Sequence, residues 1–215
     1  MIKGIIFDYG GTLDTGGRHW SKVIWDAYQK ELIPISWDQF WEAYVHAERT
    51  LGRNPIIRPD DTFLDVLRAK TDIQTRFLAD NHMWPVYEVE RRAVFEHLAL
   101  DCYHLVLAEM QRSRPMLRDL ASRYPLVLVT NFYGNIHTVL REFRIDSFFV
   151  DVVESAVVGV RKPDPEIFRL GVEALSLAPE EVLVVGDSLE KDILPAQSLG
   201  CMTWQVPPFS FSSIL

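Results

Sequence analysis

The residues of this sequence that can do chemistry follow short apolar runs. Asp8 comes directly after the first run and is followed by Gly10 and Gly11, as expected where a buried strand delivers a carboxylate into a loop that ligands approach closely. Two later runs end in a similar way, at Thr130-Asn131 and at Asp187. A carboxylate in such a position can act as a nucleophile or bind a metal ion. Asp8 is our candidate nucleophile.

The elements around these residues alternate between strand and helix in the second half of the chain. Apolar runs and helical periodicity predict strands at 5–7, 126–131, 148–153, 182–187 and 202–206, and helices at 116–123, 134–143, 166–175 and 189–199. Pro115 suits the first turn of the first of these helices. This alternation predicts an α/β fold with a parallel sheet covered on both faces and with ligands at the carboxyl ends of the strands.

The first half of the chain shows helical periodicity instead. We predict helices over 19–32, after Ser36 with Gln39 completing a capping box, from Asp60-Asp61, and over 85–110, and no strand between Asp14 and Pro115. Residues 15–110 are therefore predicted to form a helical cap inserted after the first strand. The core then comprises residues 1–14 and 111–215.

Composition narrows the classes of function. The formal net charge of -8 argues against a general nucleic-acid surface, so an anionic ligand must be attracted locally, by a metal ion or a few basic side chains. No apolar stretch approaches the ~20 residues that span a bilayer. The two cysteines, Cys102 and Cys201, are expected to be free buried thiols in a reducing cytoplasm.

Four motifs together resemble those of the haloacid dehalogenase-like (HAD-like) superfamily. They are Asp8-Tyr9-Gly10-Gly11-Thr12-Leu13, Thr130-Asn131, Lys162 in Lys-Pro-Asp-Pro-Glu-Ile-Phe, and Gly186-Asp187-Ser188 with Asp192. The resemblance implies a Rossmann-like, three-layer parallel sheet with strand order 5-4-1-2-3 and a helical cap of the C1 type. It also implies a phosphatase that acts on a small phosphorylated metabolite, such as a sugar phosphate, through an aspartyl-phosphate on Asp8.

The resemblance assigns a role to each motif residue. Because a carboxylate that attacks a phosphoryl group faces an anion, positive charge must come from Lys162 and a divalent metal. Mg²⁺ prefers oxygen ligands, which Asp8, Asp187 and the main-chain carbonyl of Gly10 offer. The phosphoryl oxygens are expected to contact Gly11, Thr12, Thr130, Asn131 and Lys162. Ser188 and Asp192 are expected to support the metal ligands or Lys162 from behind.

One position departs from the family pattern. Most of its phosphatases carry a second Asp, which acts as general acid and base, where this sequence has Gly10. Three alternatives stay open: a phosphatase that works without this acid, a phosphonatase that uses a cap lysine as Schiff-base former, and a weakly active or non-catalytic metal and metabolite binder. Retention of Asp187 disfavours a dehalogenase. Candidate residues for these alternatives are Asp14 and His19 as substitute acids, Lys22 and Lys30 as cap lysines, and Arg18, Arg53 and Arg58 as cap contacts to substrate.

Overall fold

The computed structural model describes residues 1–207, and its centre is a sheet of five parallel strands. The strands are β1 (Gly4–Phe7), β2 (Leu126–Thr130), β3 (Asp151–Glu154), β4 (Val182–Gly186) and β5 (Met202–Gln205). Their order is β3-β2-β1-β4-β5, which is the predicted order read from the other edge. Every residue of β1, β2 and β4 is buried, as expected for central strands covered on both faces. The predicted fold class is confirmed.

Helices cover both faces of this sheet and build the insertion. They are α1 (Trp20–Lys30), α2 (Trp37–Arg53), α3 (Phe63–Asp80), α4 (Glu88–Ala121), α5 (Ile136–Glu142), α6 (Ser155–Val158), α7 (Glu166–Leu175) and α8 (Leu194–Ser198). Ile6 packs with α7 and α8 on one face, whereas Ile5 and Phe7 pack on the other face with α4, α5 and the cap helices. None of the described helices is long and apolar enough to cross a membrane.

Helices α1, α2 and α3 follow β1 in the chain and belong to the segment predicted as the cap. Ser36 and Gln39 make the predicted capping box at the start of α2, with bonds of 3.2 and 2.8 Å. A second capping box, Thr62 with Asp65, starts α3, so that helix begins after Asp60-Asp61. No strand lies between Asp14 and Pro115, as predicted.

Helix α4 corrects one prediction, because Pro115 lies inside it and does not start a new helix. Its first half packs against α3. Its second half buries Leu117 and Leu120 in the hydrophobic core that contains Ile5 and Phe7 of β1. This packing outweighs the helical hydrogen bond that a proline removes. The boundary between cap (15–110) and core (1–14, 111–215) stays a prediction, since α4 runs through it without a break, and residues 208–215 lie outside the described part of the chain.

Two smaller differences concern the core. Strand β3 begins at Asp151 and not at residue 148, because Asp146–Phe148 forms a 3-10 turn. The helix predicted over 189–199 consists of a π-helical turn, Leu189–Ile193, followed by α8. Ile193 N–H reaches back to the carbonyl of Ser188 at 3.2 Å. This wider turn gives Asp192 a buried position beside the sheet.

Candidate active site

The carboxyl ends of β1, β2 and β4 bring the predicted chemical residues together. Asp8 follows β1, is 5% exposed, and donates its backbone N–H to the carbonyl of Val185 in β4 at 2.9 Å. Lys162 enters from the loop before α7. Its ammonium nitrogen lies 2.5 Å from Oδ1 of Asp8 and 2.7 Å from Oδ1 of Asp192. One buried cation therefore bridges two buried carboxylates from distant parts of the chain.

These carboxylates and the lysine shift one another's proton affinity. Burial raises the pKa of Asp8 to about 6; Lys162 opposes this shift and Asp192 adds to it. Burial, Asp8 and Asp192 raise the pKa of Asp187 to about 7. Burial lowers the pKa of Lys162, but Asp192 and Asp8 raise it by more, so the lysine stays a cation. Three clustered carboxylates against one ammonium leave negative charge that a further cation would offset.

The donor set suits a hard divalent cation. Carboxylate oxygens of Asp8, Asp187 and Asp192 lie within 4.8 Å of one another. Asp192 is already bonded on both oxygens, since Oδ1 accepts from Lys162 and Oδ2 from the N–H of Ser188 at 3.1 Å. Asp8 also accepts on both oxygens, from Lys162 and Thr12, so these bonds do not select between Asp8 and Asp192 as ligands. The set is all oxygen, which fits Mg²⁺. The supporting roles expected for Ser188 and Asp192 stay a prediction.

The loop after β1 uses its own donors to hold its shape. Gly11 N–H donates to Oδ1 of Asp14 at 2.7 Å, and the Thr12 hydroxyl donates to Oδ2 of Asp8 at 2.8 Å. Thr12 N–H bonds to the carbonyl of Tyr9. Gly11 and Thr12 thus organise the loop and the nucleophile, and neither lines the cavity in front of Asp8. Direct contact of their N–H groups with phosphate stays a prediction.

The predicted phosphate contacts after β2 differ from each other. Thr130 is buried and lines the cavity. Asn131 lines the cavity too, but its side-chain amide donates to the backbone carbonyl of Lys162 at 3.1 Å and accepts from its N–H at 2.9 Å. Asn131 therefore fixes the segment that carries the bridging lysine, a role that its position after a strand did not reveal.

A cavity of about 1020 Å³ separates Asp8 from the cap. Its cap side contains charged residues that the motifs did not identify. Lys70 of α3 is 7% exposed and lies 2.6 Å from Oε1 of Glu48 in α2. The hydroxyl of Tyr133, from the loop after β2, donates to Oε2 of Glu48 at 3.1 Å.

A signal for two of these residues exists in the sequence. Glu48 lies four residues after Tyr44, and Lys70 lies four residues after Val66, so both extend the buried stripes of their helices. A charge on a buried helix face needs a partner, and here each is the other's partner. Of the cap residues proposed from the sequence, His19 and Arg53 line the cavity, whereas Arg18, Arg58, Lys22 and Lys30 do not.

Comparison with known proteins agrees with the fold and the motifs. The profile described as haloacid dehalogenase-like hydrolase matches residues 2–200.

The chain belongs to the haloacid dehalogenase-like hydrolase family.

Curated relatives match over part of their length. A glyceraldehyde 3-phosphate phosphatase of Pyrococcus abyssi is 37% identical over 87 residues, which span 40% of this chain and 36% of the relative. A phosphoglycolate phosphatase of Vibrio cholerae is 30% identical over 126 residues, or 56% of this chain and 55% of the relative. The matched segments thus span about a third to a half of the lengths of these two relatives.

Solved structures share the fold. A dehalogenase studied with an intermediate complex has a TM-score of 0.62 at 15% identity and covers 98% of this chain and 90% of its own. The HAD-hydrolase YfnB of Bacillus subtilis, solved with bound magnesium, has a TM-score of 0.54 at 20% identity and covers 94% and 85%. At these identities the likeness supports the architecture alone.

Gly10 is the position at which the sequence predicts a departure from the HAD-like pattern. Its φ is not positive, and a Cβ built there would lie 3.8 Å from Nε1 of Trp20, an ordinary contact. Trp20 in turn donates to Oδ2 of Asp14 at 2.9 Å. An indole therefore flanks the backbone position from which most HAD phosphatases project their acid.

The two substitute acids proposed from the sequence are placed differently. Asp14 is fully buried, accepts from Gly11 and Trp20, and does not line the cavity. Burial raises its pKa to about 8, and those two hydrogen bonds oppose the shift. His19 lines the cavity and caps α1 by accepting from the N–H of Ser21 at 3.2 Å. Burial and then Lys191 lower the pKa of His19, so it is neutral at neutral pH.

Proposed function

We propose that the protein is a Mg²⁺-dependent phosphatase that hydrolyses a small phosphorylated metabolite, such as a sugar phosphate, through an aspartyl-phosphate on Asp8. The observation that carries the proposal is the buried bridge of Lys162 between Asp8 and Asp192, with Asp187 beside it, at the base of a large cavity. The names of the relatives support the substrate class, since those proteins act on glyceraldehyde 3-phosphate, phosphoglycolate and, for one from Thermus thermophilus, phosphoserine.

Asp8 is held ready for attack by contacts on both oxygens. Lys162 bonds Oδ1 and Thr12 bonds Oδ2, so the carboxylate has a fixed orientation. The lysine cation favours the ionised form against burial. In the first step, Asp8 attacks phosphorus in line with the leaving oxygen, whose bond to phosphorus breaks. In the second step, water attacks the phosphorus of the aspartyl-phosphate, phosphate leaves, and Asp8 returns as a carboxylate.

A metal ion would complete the charge balance of the site. Asp8, Asp187 and the carbonyl of Gly10 are the groups that would hold Mg²⁺. When bound, it supplies the positive charge that the phosphoryl oxygens require. Asn131 keeps Lys162 in position, and the buried walls keep bulk water away from the carboxylates. We also propose a cytoplasmic location, which suits two free, buried cysteines, Cys102 and Cys201.

The alternative chemistries receive less support. A phosphonatase of the Schiff-base type needs a neutral cap lysine at the substrate. Lys22 and Lys30 do not line the cavity, and Lys70 is paired with Glu48. Burial lowers the pKa of Lys70, but Glu48, Tyr133 and Tyr44 raise it by more, to well above its usual value, so this amine is a poor Schiff-base former.

A metal-dependent screen tests the proposal. Purified protein is assayed for phosphate release from triose phosphates, phosphorylated carboxylic acids, hexose phosphates and an aldehyde phosphonate, with Mg²⁺ or with EDTA. We expect release from at least one monoester, only with Mg²⁺, and none from Asp8→Asn. Asp101→Asn, which breaks an exposed pair with Lys30, is the matched control. Metabolite binding without release would favour the non-catalytic binder, and release from the phosphonate alone would favour the phosphonatase.

A further inference from the structure

The cap side of the cavity contains a buried cation that the steps above do not use. Lys70 has three N–H donors, and its ammonium nitrogen forms an ion pair with Glu48 at 2.6 Å from Oε1. Its nitrogen lies 5.6 Å from the ring centre of Tyr133 and 5.9 Å from that of Trp20. Both rings line the cavity, as Lys70 itself does. The ammonium is therefore fixed in place and keeps donor capacity beyond its carboxylate partner.

In-line attack defines which wall the leaving group meets. Asp8 approaches phosphorus from the base of the cavity, so the leaving oxygen must lie on the opposite side of phosphorus. That side faces the cap. The indole of Trp20 links the position of the missing acid to the cap lysine, because one end of it flanks Gly10 and its ring lies under Lys70.

We propose that Lys70 donates the proton to the leaving oxygen and so replaces the acid that Gly10 lacks, with Glu48 and Tyr133 as positioning residues. This inference rests on the proposed phosphatase function and names a proton donor for it. Among the described residues, three lysines line the cavity, of which Lys162 is bonded to Asp8 and Asp192, Lys191 is exposed, and Lys70 is the buried one that belongs to the cap helices. The other cavity bases are poorer donors. An arginine such as Arg53 cannot give up a proton in a protein, and His19 is already neutral at neutral pH and caps a helix.

The proton transfer balances over the two steps. In the first, the electron pair of the P–O bond goes to the leaving oxygen, which takes a proton from the ammonium of Lys70 and departs as an alcohol, leaving a neutral amine. In the second, the amine takes a proton from the attacking water, the hydroxide so formed bonds to phosphorus, and Asp8 leaves as a carboxylate. Lys70 is again an ammonium when phosphate departs. No further reactant is needed.

The charge state of Lys70 fits one kind of leaving group better than another. Glu48 and the neighbouring phenols keep its pKa well above the usual value. Such an acid gives its proton readily to an alkoxide, which is a much stronger base than an amine, and contributes little when the leaving group is a stable phenolate. The effect of removing Lys70 must therefore depend on the leaving group.

The experiment measures kcat/KM with Mg²⁺ for phosphate esters that range from primary alkyl to 4-nitrophenyl, in wild type and Lys70→Met. Because a positioned acid contributes ~10²–10⁴-fold, we expect at least about a 10²-fold loss for the alkyl ester and less than about threefold for the nitrophenyl ester. With the nitrophenyl ester, kcat should fall although kcat/KM does not, because the second step loses its base. Lys30→Met is the matched control on an exposed cap lysine.

Three further variants keep the test decisive. Glu48→Gln/Lys70→Met removes both charges and avoids a lone buried carboxylate, should the single variant fold poorly. Lys70→Arg keeps the charge but cannot transfer the proton, so it should behave as Lys70→Met. Glu48→Gln should lose activity with the same dependence on leaving group. Equal losses across the series, no loss, or full activity in Lys70→Arg would each overturn the proposal. Absence of phosphatase activity in wild type, or full activity in Asp8→Asn, would instead overturn the proposed function.

Discussion

The two walls of the cavity each contain a buried lysine, but the lysines have different surroundings. On the core wall, Lys162 bonds two carboxylates, Asp8 and Asp192, and Asp187 lies within 4.8 Å of them. On the cap wall, Lys70 pairs with one carboxylate, Glu48. The three core carboxylates therefore leave negative charge that calls for a further cation, whereas the charge of Lys70 is balanced by Glu48. We infer that the first wall binds metal and phosphoryl group and the second serves the leaving group.

The largest expected effect comes from removing the core lysine. Lys162→Met leaves Asp8 and Asp192 buried without their cation, and breaking a buried pair in this way costs about 3–5 kcal/mol. Urea unfolding in EDTA should show this loss, and turnover should fall by about 10³-fold or more, since charge stabilisation of the reacting group is lost. Lys30→Met is again the control. Equal stability of Lys162→Met and wild type would contradict the bridge.

The second prediction concerns the metal. Asp187→Asn removes a charged ligand without changing side-chain size. Loss of a residue that only supports a ligand lowers metal affinity ~10–100-fold, so loss of the ligand itself should lower Mg²⁺ affinity by at least this factor and abolish turnover. Titration calorimetry with Mg²⁺ alone measures the affinity independently of activity. Asp101→Asn should bind as wild type does. Unchanged affinity in Asp187→Asn would remove this residue from the metal site.

The adjacent glycines provide a matched pair for the third prediction. Gly11 has a φ of +96°, and a Cβ there would lie 2.6 Å from Oδ2 of Asp187, so Gly11→Ala should destabilise the protein by about 1–3 kcal/mol and weaken Mg²⁺ binding. Gly10 has no positive φ, and a Cβ there would make only an ordinary contact, so Gly10→Asp meets neither backbone strain nor a clash. It should fold as wild type does and, when added to Lys70→Met, restore kcat/KM for alkyl esters by up to ~10²–10⁴-fold if the new acid is well placed.

The dependence of the rate on leaving-group pKa is a second test of the Gly10→Asp substitution. Lys70→Met should cleave aryl, acyl and anomeric phosphates faster than primary alkyl phosphates, and adding Gly10→Asp to this variant should flatten the dependence. Loss of folding in Gly10→Asp, with Gly11→Ala well folded, would reverse our assignment of the two glycines.

The last prediction before the closing test is a pH dependence of stability from Asp14. Its pKa is raised from 3.8 to about 8 in the folded state, so the folded protein binds the extra proton. Its contribution to the free energy of unfolding is complete below pH ~4 and is lost as the pH rises towards 8. In EDTA, the stability difference between wild type and Asp14→Asn should therefore fall between about pH 5 and pH 8. Parallel pH profiles would show that Asp14 is not protonated in the folded protein.

The sequence predicts the core wall well and the cap wall poorly, for a physical reason. Asp8, Thr130 and Asp187 follow contiguous apolar strands, and the ends of parallel strands must meet at one edge. Glu48 and Lys70 instead meet through the packing of α2 against α3, which helical periodicity does not specify. Periodicity identifies each buried face but not the partner that a charge on it will find.

Local signals also failed where tertiary packing outweighed them. Pro115 predicts a helix start, yet buried residues on both sides of it keep α4 continuous. Asn131 follows a strand, as a phosphate contact would, and its amide also holds the backbone of Lys162, which the strand end did not indicate; its contact with phosphate stays a prediction. In both cases the deciding contacts are made by residues distant in the sequence.

The central claim is that Asp8 carries the phosphoryl group during turnover. Acid quench of the enzyme in the steady state with Mg²⁺ and a substrate found by the screen, followed by peptide mass spectrometry, tests this claim directly. We expect a phosphate on the peptide that contains Asp8, conversion of Asp8 to homoserine on borohydride reduction of the acyl phosphate, and no phosphate on the same peptide from Asp8→Asn. Turnover with no phosphopeptide at any quench time, and with inverted configuration at a chiral phosphorus, would contradict the claim and indicate direct attack by water.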